Sequence, residues 1–425
     1  MQLHARLLLL NVLLAASLYG WCGNNKSDVK KTVPPAPAGP SSPTLAKSTA
    51  PARLPVTTEK EVTFYPTYGY KDAKGWNINL RGWVHEDRKE LNKLAEKFSK
   101  CSEVEMANFR ARSADFADDN KTFEKVVIKF DSDPDDKAYE LSKSKSDGIV
   151  KIALVFPDEK AKQLLEKQGS TNGWLTFRAV SREHTGLGRI KLIEPGAGES
   201  LVTDIDDTIK ITEIPGPRDV VLRNTFCLDF KAVLEPDMAK NYRERGDIPV
   251  HYVSGGPEQL FGPLYDYLIT GAGGFPEGTF HLRFFPTPAS LAGIKTLIDT
   301  ARSSLDTTFD HKVREIKKLM EMFPDRKFTL VGDSGEVDPE VYNEIRKWRP
   351  AQVKEIIIRD VINDDAMNHF RLESMTIIKV NPPVCVERKH FDDLKKKIKE
   401  KYPTETYQRN SAPPCAPVNS NSAAN

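Results

Sequence analysis

The chain has 425 residues, with 62 Lys or Arg against 60 Asp or Glu, and a formal net charge of +2. That balance excludes a nucleic-acid partner held by bulk charge and long-range steering of an anionic substrate, so any affinity for phosphate has to be local. The length suffices for two domains, each burying its own core.

His4 and Arg6 make a short polar start, and Leu7 to Gly20 is apolar with small residues near its end. A comfortable membrane span needs about 20 apolar residues. Residues 1–23 therefore read as a secretory signal peptide, with Ala15-Ala16-Ser17 as a small-residue exit, and the expected location is secreted or periplasmic. Cys22 offers lipid anchoring as an alternative, against which the bulky Trp21 counts. Residues 24–58 are rich in Pro, Ser and Thr and bury too little apolar surface to offset their ordering entropy, so they are expected to form a disordered linker. The tail, 406–425, has a similar character. Beyond Cys22 the cysteines are Cys101, Cys227, Cys385 and Cys415, without a C-x-x-C pair or a zinc spacing. Export permits disulfides; isolated thiols remain the alternative.

Over 59–196, short β-type runs recur between polar turns: 76–80, 126–130, 149–156, 174–180 and 189–193. Their alternation predicts a β-rich, sandwich-like or barrel-like domain of half-buried antiparallel strands, with an inserted helix over 86–99. From 197 to 405 strands alternate with helices. Strands are predicted at 201–205, 248–253, 327–331, 353–358 and 376–380, with helices at 236–246, 257–269, 311–323 and 339–348. This rhythm predicts an α/β domain, a Rossmannoid parallel sheet with helices on both faces, whose ligands bind at the carboxyl ends of the strands.

Those ends carry the chemistry. The first strand runs into Asp204-Ile205-Asp206-Asp207-Thr208, two carboxylates two residues apart and on one side of an extended chain. The second runs into Ser254-Gly255-Gly256, and the third into Gly332-Asp333-Ser334-Gly335-Glu336-Val337-Asp338. Lys312 begins an amphipathic helix upstream of the third, with Lys317 and Lys318 as alternatives on the same helix. Together these resemble the four motifs of haloacid dehalogenase-like phosphatases. The finer wording, including Ile209-Lys210, His251-Tyr252-Val253 and Ile357-Ile358-Arg359-Asp360-Val361, resembles the actin-patch-type phosphatidate phosphatases over roughly Gly188 to Val361.

The resemblance implies a Mg²⁺-dependent phosphatidate phosphatase. Asp204 would be the nucleophile and form an aspartyl-phosphate, and Asp206 the general acid and base. Asp204, the backbone carbonyl of Asp206, and Asp333 would hold Mg²⁺, with Asp338 in support. Ser254 would bind phosphoryl oxygens, Lys312 would neutralise their charge, and Thr208 would orient the loop. A related phosphomonoesterase on a non-lipid substrate and a non-catalytic phosphatidate-sensing module are the alternatives.

Each motif alone has a plainer meaning: D-x-D a helix cap or turn, Ser-Gly a turn, Lys312 a solvated helix residue. Their joint order carries the assignment. Asp131 to Asp136 lacks the Gly and distal Glu of a Ca²⁺ loop and reads as a hairpin turn. His251 reads as a core histidine. The lysines of 395–401 lie on a helix whose apolar stripe packs on the domain or, alternatively, makes peripheral contact with an anionic membrane.

Overall fold

In the computed structural model of the chain, which describes residues 60–86, 101–234, 237–285 and 305–405, two hydrogen-bonded sheets follow one another along the sequence. The first uses β1 (Lys60–Phe64), β2 (Thr67–Asp72) and β3 (Gly75–Glu86), then helix α1 (Met106–Ala117). After it come β4 (Asp119–Asn120), β5 (Val127–Phe130), β6 (Ala138–Glu140) and β7 (Ile149–Phe156). Helix α2 (Asp158–Gln168) and β8 (Trp174–Ala179), β9 (His184–Thr185) and β10 (Leu187–Leu192) complete it. Strand β3 organises the sheet. Trp76, Ile78 and Leu80 are buried between more exposed neighbours, the period-2 pattern of a strand with one face on a core. It pairs along its length with β7, from Trp76↔Phe156 to Trp83↔Ile149. Most pairings are antiparallel, but β1–β9 and β10–β2 are parallel, so the sheet is mixed.

Helix α2 starts after Pro157 with Asp158 and Glu159 in its first turn, and ends at Gly169 in the left-handed conformation, φ +68°. The Pro157 start, the acidic first turn and the Gly169 stop are all visible in the sequence. The helix expected over 86–99 lies outside the described residues. Cys101 is disulfide-bonded to Cys227, and Cys385 is also disulfide-bonded.

The second sheet contains β11 (Gly198–Thr203), β12 (Val250–Pro257), β13 (Thr279–Arg283), β14 (Arg326–Asp333), β15 (Val353–Asp360) and β16 (Thr376–Lys379). All its pairings are parallel, in the order β13-β12-β11-β14-β15-β16. Parallel strands need crossover helices, which cover both faces. The helices among the described residues are α3 (Arg218–Leu222), α4 (Met238–Glu244), α5 (Phe261–Tyr265), α6 (Leu305–Met322), α7 (Asp338–Trp348), α8 (Asp365–Arg371) and α9 (Arg388–Lys401). On one face Leu201, Tyr252 and Val331 meet Tyr242 of α4 and Leu264 of α5. On the other, Val202, Val253 and Leu330 meet Ile316 of α6, Tyr342 of α7 and Leu394 of α9. Successive strand residues are thus buried on opposite sides, and each large apolar side chain contributes about 1.5–3 kcal/mol. The α9 stripe, Phe391, Leu394 and Ile398, is packed into this core. None of the described helices is long and apolar enough to cross a membrane.

The α/β expectation holds, with differences of detail: α3 and α8 were not expected, and α6 is helical from Leu305, so Lys312 lies inside the helix and not at its start. The helix expected at 257–269 is a 3₁₀ turn (Glu258–Leu260), α5 and a π turn (Asp266–Thr270) in succession. Strand β13 was not anticipated.

The chain runs from β11 outward to β12 and β13, then returns to β14 on the other side of β11. That reversal is a topological switch point, and it places a crevice at the carboxyl ends of β11 and β14.

Candidate active site

Strand β11 delivers Asp204 to this crevice. Its backbone N–H continues the ladder to Val331 O at 2.9 Å, and its side chain is fully buried. The chain then tightens: Ile209 and Lys210 both donate to Ile205 O at 3.0 Å, and Asp207 takes φ +57°. The Asp207 carboxylate pins the loop by accepting the N–H groups of Thr212, Glu213 and Ile214 at 2.9, 2.6 and 2.6 Å. Arg359, at the end of β15, donates to the Asp207 backbone carbonyl. Thr208 Oγ1 donates to Asp204 Oδ2 at 3.3 Å.

Strand β14 brings Asp333 alongside, and α7 begins with Asp338. A Cβ on Gly332 would lie 2.4 Å from Asp338 Oδ2, so only glycine allows that carboxylate to close over the strand end. Gly335 N donates to Asp333 Oδ1 at 2.7 Å. Carboxylate oxygens of Asp204, Asp333 and Asp338 lie within 4.8 Å of one another, and all three side chains are fully buried. Lys312 of α6 is equally buried, 2.9 Å from Asp204 Oδ1 and in contact with Asp338. The lysine expected from the sequence is therefore the one that reaches the site.

Electrostatics show what this cluster lacks. Burial pushes the Asp204 carboxyl up to about 7, with Lys312 opposing and Asp338 and Asp206 adding repulsion. Burial, then Asp338 and Glu336, pushes Asp333 well above the usual carboxylate range. Asp333 Oδ2 has no hydrogen-bond partner among the described residues, and Asp204 Oδ1 has only its ion pair with Lys312. Dense, dry, oxygen-only donors with orphaned lone pairs fit a hard divalent cation.

Asp206 has a different environment. Its side chain faces Lys210 Nζ at 2.9 Å and Thr212 Oγ1 at 2.5 Å rather than the acidic trio. Burial alone would raise its pKa, but the Lys210 charge and the Thr212 hydrogen bond hold it below the usual range. Ser254 sits in β12, and its Oγ accepts from Gly256 N at 3.0 Å. A Cβ on Gly256 would lie 3.3 Å from Ser254 Oγ and 3.7 Å from Asp206 Oδ2, so the serine and that carboxylate flank one glycine. Asp204, Asp206, Thr208, Ser254, Lys312, Asp333 and Asp338 are thus brought to one crevice.

Several residues there were not given roles from sequence. Lys210 and Thr212 hold Asp206, and Glu336 is buried beside the trio with its carboxyl pushed well up by burial. Arg371, fully buried, pairs with Glu340 at 2.7 and 2.9 Å and donates to the carbonyls of Ser334 and Glu336, bracing the β14–α7 loop. Lys210 and Glu336 lie within the quoted motifs. Arg371 follows the matching region and had no motif to mark it. His251, fully buried, binds Thr279 Oγ1 at 2.7 Å, as a core histidine does. Asp131 and Asp133 pair with Arg178 and Lys160.

Residues 199–360 match the family described as phosphatidate phosphatase APP1, catalytic domain. The chain is 33% identical over 170 residues to phosphatidate phosphatase APP1 of Saccharomyces cerevisiae, covering 38% of this chain and 26% of that protein. It is 29% identical over 170 residues to an uncharacterised protein of Schizosaccharomyces pombe, covering 39% and 26%. Through this region the chain is similar to the APP1-type phosphatidate phosphatases. It spans about a quarter of the length of the curated relatives it matches. A solved carbohydrate esterase structure aligns at 10% identity over 81% of this chain and 97% of its own, with a TM-score of 0.18.

Proposed function

We propose that the chain is a haloacid dehalogenase-type phosphatase that hydrolyses phosphatidate to diacylglycerol and inorganic phosphate through an aspartyl-phosphate on Asp204. The observation that carries this is the meeting of Asp204, Asp333 and Asp338 around Lys312 at the switch point of a parallel sheet. The two separate hydrogen-bonded sheets support a division into a sandwich-like domain, 59–196, and a catalytic domain, 197–405. The Cys101–Cys227 disulfide supports an exported, oxidising setting.

A carboxylate approaching a phosphate dianion meets repulsion of roughly 4 kcal/mol per charge pair about 4 Å apart at an effective dielectric near 20. Asp204, Asp333 and Asp338, with the Asp206 backbone carbonyl, would hold Mg²⁺, which would supply positive charge to offset this repulsion. Thr208 fixes one Asp204 oxygen by its hydrogen bond, leaving the other to form the bond to phosphorus. As that bond forms, the phosphorus–oxygen ester bond breaks and the departing alkoxide takes a proton from Asp206. Lys210 holds Asp206 ionised in the free site, and the incoming dianion raises its proton affinity, so Asp206 takes up one proton from solvent as substrate binds and gives that proton to the alkoxide. Asp206 then accepts a proton from water, whose oxygen attacks phosphorus. The bond to Asp204 breaks and inorganic phosphate leaves. Ser254 accepts its hydrogen bond from Gly256, so its own O–H is available to a phosphoryl oxygen. Lys312 stays beside Asp204 as charge develops on the phosphoryl group.

A soluble phosphomonoester is the second reading, because the acidic crevice recognises the phosphate and not the alcohol. Retention of Asp204, Asp206 and Asp333 weighs against a non-catalytic sensor. The test is phosphate release by the full chain from phosphatidate, lysophosphatidate, a sugar phosphate and a nucleoside monophosphate, with Mg²⁺ and with a chelator. We expect phosphatidate to be preferred and the chelator to abolish turnover. Equal or faster turnover of the soluble esters transfers the function to the second reading, and turnover indifferent to chelator removes the metal from it.

A further inference from the structure

Arg283 ends β13 at the carboxyl edge of the sheet, in register with Pro257 just beyond Ser254. Its Nη1 donates to Thr308 Oγ1 at 3.1 Å, and Thr308 in turn closes on Gly255, where a Cβ would lie 2.9 Å from Thr308 Cγ2. Thr308 and Lys312 are both buried in α6, four residues apart, and so lie one above the other about 5–6 Å apart on one helix face. Helix α6 returns the chain between the parallel strands β13 and β14, so its N-terminal end projects past their carboxyl ends. Thr308 is therefore one turn further out than Lys312, and the guanidinium it holds stands at the mouth of the crevice.

Among the described residues this guanidinium feels the charge of Glu336 but has no carboxylate at ion-pair distance. Arg283 is half-buried and lies over the Phe285 ring at 4.7 Å, yet none of the described carboxylates comes within the 4.0 Å of an ion pair. A desolvated cation is costly without a counter-charge. Deeper in, Lys312 is committed to Asp204 and Asp338, and Lys210 to Asp206. Neither is a free cation for an arriving anion.

We propose that Arg283 is a substrate-binding residue whose guanidinium receives a phosphomonoester dianion at the mouth of the site, one helical turn outside Lys312. The identity of the anion rests on the phosphatase reading. A planar guanidinium offers two parallel N–H donors to phosphate, and among the described residues only its bond to Thr308 occupies a donor.

The experiment uses the full chain, with Arg283→Ala and Arg283→Lys, in Mg²⁺ at constant ionic strength. Binding of inorganic phosphate is measured by calorimetry, and kcat and KM are measured on short-chain phosphatidate and on a soluble phosphomonoester. Thermal midpoints accompany each variant. The expected result for Arg283→Ala is weakening of phosphate by about tenfold or more, with a matching rise in KM, a smaller change in kcat and an unshifted midpoint. Arg283→Lys should recover part of the loss. A rise in KM confined to phosphatidate assigns Arg283 to the lipid headgroup. A rise for both esters assigns it to the phosphate itself. Unchanged phosphate affinity and KM overturn the inference, as does a fall in kcat alone. Because phosphate binding needs no turnover, the result stands apart from the phosphatase reading: a chain that binds phosphate through Arg283 and hydrolyses nothing overturns only that reading. A wild-type chain that binds no phosphate overturns both.

Discussion

Asp204, Asp333 and Asp338 sit together without exposure, and among the described residues Lys312 offsets them from inside the cluster. Like charges this close raise the energy of the metal-free fold, because each carboxylate is desolvated and repelled by the others. Replacing Asp333 with Asn removes one charge and keeps the shape. We expect Asp333→Asn to unfold at a higher temperature than the wild type in chelator, to lose the stabilisation that Mg²⁺ gives the wild type, and to lose turnover by about a hundredfold or more. Differential scanning calorimetry with and without Mg²⁺, beside a phosphate-release assay, reads all three. At this scale the sequence disclosed the motif residues, because each lies beside a strand end and keeps to a fixed order. It did not disclose Lys210 as the partner of Asp206, or Arg371 as a brace. The first requires the turn that Asp207 makes at positive φ. The second reaches across from a helix that carries no motif.

Elements hold these side chains in place, and two of them support tests. Helix α8 ends in Arg371, whose guanidinium and the Glu340 carboxylate are both fully buried. Removing one member of such a pair strands the other, at a cost of about 3–5 kcal/mol. Arg371→Met should lower denaturant stability by that order and loosen the loop that carries Asp333; chemical denaturation and amide exchange at Ser334 to Asp338 measure it. Helix α6 carries His311, which burial holds down to about 4, with the hydrogen bond to His281 O and the charge of Glu315 opposing. Burial also holds His251 in β12 well below its usual range. Unfolded histidine takes a proton near pH 6.5, so below that pH the unfolded state binds more protons than the native one. Stability should therefore fall as pH drops from about 6.5 toward about 4, by up to about 3 kcal/mol for His311 alone. Denaturant midpoints across that range, with His311→Gln as control, check the sign. The parallel strands were legible as apolar runs because both their faces are buried. Strand β13 was not, since Thr279 to Arg283 is short and carries Phe280 and Leu282 as its apolar residues, without the continuous apolar run of its neighbours.

At the largest scale, described residues far apart in sequence are tied around the parallel sheet. Phe280 N donates to Pro66 O at 3.0 Å, and Arg81 forks onto Glu258 at 2.6 and 2.8 Å, joining the mixed sheet to the segment that follows Ser254. The Cys101–Cys227 bond closes a separation of 126 residues. Constraint of so long a loop contributes about 2–4 kcal/mol in typical cases. The Cys101→Ser, Cys227→Ser double variant should lose stability of that order in urea while the site geometry survives; an unchanged midpoint would remove the disulfide from the account. Two zones of differing rhythm were readable from composition and periodicity. Their contacts were not, because Arg81 and Glu258 are 177 residues apart and no local pattern pairs them. The central claim, covalent catalysis by Asp204, is tested most directly by acid quench during steady turnover of phosphatidate, followed by peptide mass spectrometry. The prediction is a phosphoryl adduct on the peptide containing Asp204, absent from an Asp204→Asn protein that folds but has lost turnover. Undiminished turnover in Asp204→Asn, or an adduct on another residue, would contradict it.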